Sequence, residues 1–183
     1  MPWTQMPRGA VADMPRIDFD ALPDTSRLWI FGAARTLDDS AQARVTGAAS
    51  DFIESWAAHG TPLAGSCTLV EDRFLLVAVD QASVPPSGCS IDAMVRLLKG
   101  LEGELGVPLV AHGDIYFRGP DGQTDRMTRA EFRAAAAAGK VTSATPVFDT
   151  TLTELGRLRA GAFEVAARDS WHGPAFFREQ AGA

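Results

Sequence analysis

Thiols, imidazoles and excess basic charge are all scarce in this chain. There are two cysteines and three histidines in 183 residues. Cys67 and Cys89 form no CxxC pair and no Cys/His finger spacing, so neither a zinc finger nor a disulfide framework is indicated. Lys and Arg number 17 against 23 Asp and Glu, a net charge of −6. Nucleic acid is therefore not the expected partner, because phosphate neutralisation needs a basic surface. Arg126, Arg129 and Arg133 lie close together and leave room for one local basic patch. No apolar run reaches bilayer length, so no membrane partner is expected. The start, Met1 to Arg16, carries prolines and charges and lacks the apolar core of a signal peptide. The expected compartment is the cytoplasm, with both thiols reduced.

What is present fits a soluble globular chain. The hydrophobic fraction is 46% and the charged fraction 22%, enough for one domain with a full core. Residues 1–20 read as a flexible extension, 21–118 as the core, and 119–183 as an appendage packed on it.

Leu28 to Ala34 is apolar on both faces, as a central strand should be. Asp38, Asp39 and Ser40 offer helix-start chemistry, and Val45, Ala48, Ala49, Phe52, Ile53 and Trp56 follow at helical spacing. Gly60 and Pro62 read as the end of that helix. Leu63 to Val70 alternates and Phe74 to Val79 is continuously apolar, which predicts a hairpin with the second strand inside. Ile91, Met94, Val95, Leu98, Leu101 and Leu105 predict a second helix, closed by Gly106 and Pro108. Leu109 to Phe117 reads as a half-exposed edge strand, with His112, Asp114 and Tyr116 on its polar face. The order β-α-β-β-α-β predicts a ferredoxin-like antiparallel sheet with two helices on one face, an α+β fold. Beyond it, Thr128 and Glu131 form a capping box for an alanine-rich helix ending at Gly139. Pro146 to Phe148 reads as a short strand and Thr151 to Ala167 as a further helix.

The split pattern has a consequence for chemistry. Following the chain up and down, the end of helix one, the start of helix two and the end of strand four share one rim. His59, Cys89, Tyr116 and Arg118 then meet there, with Arg35 at the opposite end. Cys89 sits in Ser87-Gly88-Cys89-Ser90-Ile91-Asp92, at a strand-to-helix turn. Free N–H groups and the helix dipole stabilise a thiolate at such a place. Ser87 and Ser90 are cap candidates, Gly88 a sharp-turn residue, and Asp92 a first-turn acid that favours the helix but opposes a thiolate. His59 is the candidate base. His172, with Trp171 beside it, could fold over the same rim and complete a Cys-His-His set. Such a set with an open fourth position would suit zinc, although no cofactor is predicted from the spacing. Cys67, Trp29 and Trp56 read as packing residues, and His112 as an exposed edge residue.

Several phrases occur together here: Trp29 to Arg35, Trp56-Ala57-Ala58-His59-Gly60 before Pro62-Leu63, Ala78-Val79-Asp80, Ser87 to Asp92, Val147-Phe148-Asp149 and Ser170-Trp171-His172. In these the chain resembles a small bacterial family of Bacteroidetes-type genomes whose members often carry the label "ABC transporter ATPase". The resemblance covers residues 18 to 177. The residues do not support the label. An ABC domain needs a glycine-rich phosphate loop ending in Gly-Lys-Ser/Thr, and the nearest match is Gly139-Lys140-Val141. The resemblance therefore implies positions but no catalytic assignments.

Two functions of different class follow. One is thiol-dependent chemistry at Cys89, assisted by His59 or His172, with Ser87, Gly88, Ser90, Asp92, Trp171 and Tyr116 as binding residues for a small molecule. The other is a non-enzymatic module that binds a small molecule or forms a homodimer through open sheet edges.

Overall fold

The computed structural model describes residues 17–82, 84–110 and 113–177. Strand β1 (Arg27–Gly32) opens the first sheet. Asp38 then caps α1 (Asp39–Glu54), its carboxylate accepting the Ala41 N–H at 2.9 Å. Ala41, Val45, Ala48, Ala49 and Ile53 form the buried stripe of that helix. The helix ends at Glu54, short of the Gly60 terminus expected from spacing. The Ser55 N–H turns back to the Phe52 and Ile53 carbonyls, and Trp56 leaves the helix. A small hairpin follows, β2 (Ala57–Ala58) and β3 (Thr61–Pro62). Its two turn residues, His59 and Gly60, have φ of 52° and 81°. Left-handed φ at both positions is what a tight hairpin of this hand requires.

Strands β4 (Gly65–Val70) and β5 (Phe74–Val79) complete an antiparallel sheet of order β1-β5-β4. Register runs from Gly32 opposite Phe74 at one end to Arg27 opposite Val79 at the other. All six residues of β5 are buried. Leu75, Val77 and Val79 face α1 and α2 (Gly88–Leu105), while Phe74, Leu76 and Ala78 face a second apolar cluster. Burial on both faces explains the unbroken apolar run of this strand.

Among the described residues the fourth strand expected of the split pattern does not join this sheet. Gly106, at φ 62°, ends α2, and the Pro108 carbonyl accepts the Ala34 N–H at 2.8 Å. The strand expected over Leu109 to Phe117 is shorter and later: β6 (Ile115–Arg118). It pairs with β7 (Thr124–Met127) and β8 (Pro146–Phe148), and β9 (Glu164–Ala166) completes a second sheet of order β7-β6-β8-β9. The cause is apolar burial on both sides. Tyr116 faces the second cluster with Phe148, whereas Ile115 and Phe117 face a third cluster with Phe132 of α3 (Arg129–Ala137). A half-exposed edge could not cover both faces of Ile115-Tyr116-Phe117. The second sheet therefore spans the boundary placed at residue 118. Ala111 and His112 lie outside the described residues.

The molecule is mixed α and β, built on antiparallel sheets. The three clusters order its layers: α1 and α2, the first sheet, the second sheet, then α3. The helix expected over Thr151 to Ala167 is replaced by one helical turn (Leu155–Arg157), a kink at Gly161 and β9. Docking explains the loss, because the Gly156 N–H bonds the Asp24 carbonyl at 2.8 Å. Residues 17–20, placed in a flexible extension, are packed: Ile17 and Phe19 lie against the second cluster. The rest of that extension, residues 1–16, lies outside the described residues. Among the described residues no helix is long and apolar enough to cross a membrane.

Candidate functional site

Ser87 caps α2, its hydroxyl accepting the Ser90 N–H at 3.3 Å. Ser90 is buried and donates its own hydroxyl to the Ser87 carbonyl at 2.7 Å. Ser87 is thus the cap residue, and Ser90 ties the first turn back to it. Gly88 is helical, and a Cβ there would meet nothing within 4 Å, so no sharp turn demands glycine. Asp92 is exposed and is the fifth helical residue, past the first turn. Cys89 lies in that first turn with its thiol exposed.

The rim argument holds for one pair of elements. The Trp56 indole N–H donates to the Ser90 carbonyl at 2.9 Å, seating the base of the β2-β3 hairpin on the first turn of α2. That hairpin carries His59, which is exposed. The histidine is a turn residue, not the helix terminus expected. Among the described residues neither the Cys89 thiol nor the His59 ring makes a hydrogen bond, so no base is engaged with the sulfur.

His172 and Tyr116 lie elsewhere. His172 is 1% exposed in the short closing helix His172–Phe176, stacked on Trp171 at 3.9 Å between ring centres. Its Nδ1 sits 2.8 Å from the Ser170 hydroxyl, and Trp171 donates its indole N–H to Asp149 at 3.2 Å. Burial pushes the His172 pKa down to about 4, against the opposing pull of Asp149. Trp171 packs on the third cluster, and Arg129 lies 4.9 Å from its ring centre. The Cys-His-His set is not assembled: among the described residues no three His, Cys, Asp or Glu side chains converge on a metal position. Tyr116 is buried and donates to the Gly32 carbonyl at 2.6 Å. Gly32 ends β1 at the Phe74 end of the sheet, whereas α2 starts beyond Val79 at the other end. Arg118 also sits at the Phe74 end, 2.7 Å from Glu71 in the β4-β5 turn. Both were expected on the Cys89 rim, and the redeployment of β6 puts them at the opposite one.

Two concavities were not visible in the sequence. One, of about 220 Å³, is lined by Ser50, Ile53, Glu54, Leu63 and Cys67 beside Phe19. Cys67, expected in the core, is half-buried there, 3.6 Å from the Ser50 hydroxyl. The other is a cleft of about 280 Å³ along the outer edge of β1, walled by Leu109, Val110, Tyr116 and Thr150 to Thr153. At its two ends the β1 edge is satisfied: Leu28 N–H donates to the Thr153 carbonyl at 3.0 Å, and Gly32 C=O accepts from Tyr116. Ile30 lies between them. Antiparallel alternation turns its N–H and C=O to the same outer side, and neither is bonded among the described residues. Arg27, stacked 5.6 Å from the Trp29 ring centre, supplies a cation at the rim. Such a cleft can take a small molecule with a paired donor and acceptor.

No family model, curated protein or solved structure matches the chain.

Proposed function

We propose that the protein is a cytosolic, non-enzymatic module that binds a small molecule in the cleft along the outer edge of β1. The observation carrying this reading is the position of the cleft. The β1-β5-β4 order, with two helices on one face, supports reading this half as a ferredoxin-like unit with its fourth place vacated, and the cleft lies in that place. It is concave, partly apolar and rimmed by a few polar groups, as ligand sites between layers usually are. The Ile30 backbone pair favours a ligand with an amide-type donor and acceptor. The test is ligand-observed NMR with a library of small amides and carboxylates, followed by resonance mapping. Hits that shift Ile30, Tyr116 and Thr151 support the cleft. Thr151 is exposed, so Thr151→Trp should fold and abolish those hits, while Cys89→Ser keeps them. Hits confined to the start of α2 would overturn the reading.

A second reading, thiol chemistry at Cys89, is favoured by the Trp56–Ser90 bond that holds the His59 hairpin against the first turn of α2. It requires a thiolate at neutral pH. Alkylation rate against pH decides it: reaction no faster than a model thiol at pH 7 removes this reading.

A further inference from the structure

Arg73 ends the tight turn between β4 and β5, where Glu71 and Asp72 reverse the chain with φ of 55° and 50°. Its side chain lies on the helix side of the first sheet beside Phe31, Leu37, Leu69 and Leu98, in a gap too small to hold a water. The residue is 7% exposed. Nη2 donates to the Thr36 hydroxyl at 3.3 Å, while Nε and Nη1 have no partner among the described residues. A guanidinium keeps its charge at any ordinary pH. Burying such a charge without a bonded anion is strongly unfavourable.

The acids nearby do not supply that anion. The Glu71 carboxylate is held by Arg118 at 2.7 Å and by the Thr124 hydroxyl at 3.2 Å. Asp72 is exposed, and Asp38 is engaged in capping α1. Asp125 acts on Arg73 only through space, and Arg126 opposes it. The cover over the guanidinium is the β1-α1 loop. That loop is pinned at both ends, Ala33 N–H to the Arg73 carbonyl at 2.9 Å and Leu37 N–H to the Asp72 carbonyl at 2.8 Å. Between the pins lie Thr36 and Arg35, both exposed, and among the described residues Arg35 bonds only the Thr36 carbonyl. Thr36 is thus bonded by a buried guanidinium and preceded in the chain by an exposed one. Two such planar forks suit an oxyanion.

We propose that Arg73, with Thr36 and Arg35, forms a binding site for a small oxyanion, a phosphate or a carboxylate. The anion displaces the Thr36 hydroxyl from Nη2 and bonds the neighbouring Nη1, an end-on fork, and the Arg35-Thr36 segment lifts between its pins to admit it. This site is on the helix side of the first sheet and stands independently of the β1-edge cleft.

The test titrates the full chain with sodium phosphate, and separately with sodium acetate, at ionic strength held constant with chloride. The readouts are arginine Nε–H resonances and melting temperature. One arginine Nε–H should shift saturably with phosphate or acetate and be missing from Arg73→Met, which keeps the length of the apolar stem and should fold. Arg35→Met should weaken the response about tenfold, the loss of one charge-assisted contact. The responsive anion identifies the source, phosphate ester or carboxylic acid. A response no greater than that to chloride, or one that survives in Arg73→Met, overturns the proposal.

Discussion

Single residues carry two sharp tests. His172 is neutral in the folded protein, because burial holds its pKa near 4 against an ordinary 6.5. The unfolded chain therefore binds an extra proton between those values, and stability falls as pH drops through that window. The loss should total about 3 kcal/mol between pH 6.5 and 4. Urea midpoints against pH will show it, and His172→Gln should flatten the slope there. A wild-type slope unchanged in His172→Gln would contradict the assignment. Tyr116 gives the second test. Tyr116→Phe leaves the Gly32 carbonyl without its 2.6 Å donor, at a cost of about 1–2 kcal/mol in urea unfolding. The same closeness explains Gly32: a Cβ there would lie 2.5 Å from the Tyr116 ring. The cap at Ser87 is legible in the sequence because a cap depends on residues three positions apart. The Tyr116–Gly32 bond is not, because it joins residues whose neighbourhood only tertiary pairing decides.

Elements show the same division between local and distant causes. The capping box of α3 is written in Thr128 and Glu131, and both of its bonds are present. Helix α2 likewise follows from periodicity, and strand β5 from its unbroken apolar run. The end of α1 does not, because Trp56 keeps the helical spacing but gives its indole N–H to Ser90. Leu109 to Phe117 also misleads. Its alternation fits an edge strand, yet the contacts of Ile115, Tyr116 and Phe117 on two faces place β6 inside the second sheet. Trp56→Phe should cost about 1 kcal/mol and free the His59 hairpin from α2. Hydrogen exchange will detect this as faster exchange at Ala57 to Thr61 and in the first turn of α2, with β5 unchanged. Equal loosening throughout would mean that the indole bond does not hold the hairpin. Within the second cluster, Phe74 touches Tyr116, Phe148 and Phe163 rings at 5.0–5.2 Å. Phe74→Ala should therefore cost about 3–5 kcal/mol, read from chemical denaturation.

At the scale of the molecule, the candidate site moves with the topology. The sequence singles out Cys89 and His59, and the fold does seat their elements together. Among the described residues it leaves the thiol exposed and without a bonded base, and it buries His172 elsewhere, stacked on Trp171. The cleft of the β1 edge has no sequence signature, because it arises where, among the described residues, β6 pairs in the second sheet and not beside β1. Its walls come from residues far apart in the chain, Arg27 to Gly32 and Thr150 to Thr153. The most direct measurement is resonance mapping of amide and carboxylate ligands on wild type, Cys89→Ser and Thr151→Trp. The account predicts shifts at Ile30, Tyr116 and Thr151 that persist without the thiol and vanish with the tryptophan. Shifts centred on Cys89 and His59 that vanish in Cys89→Ser would contradict it.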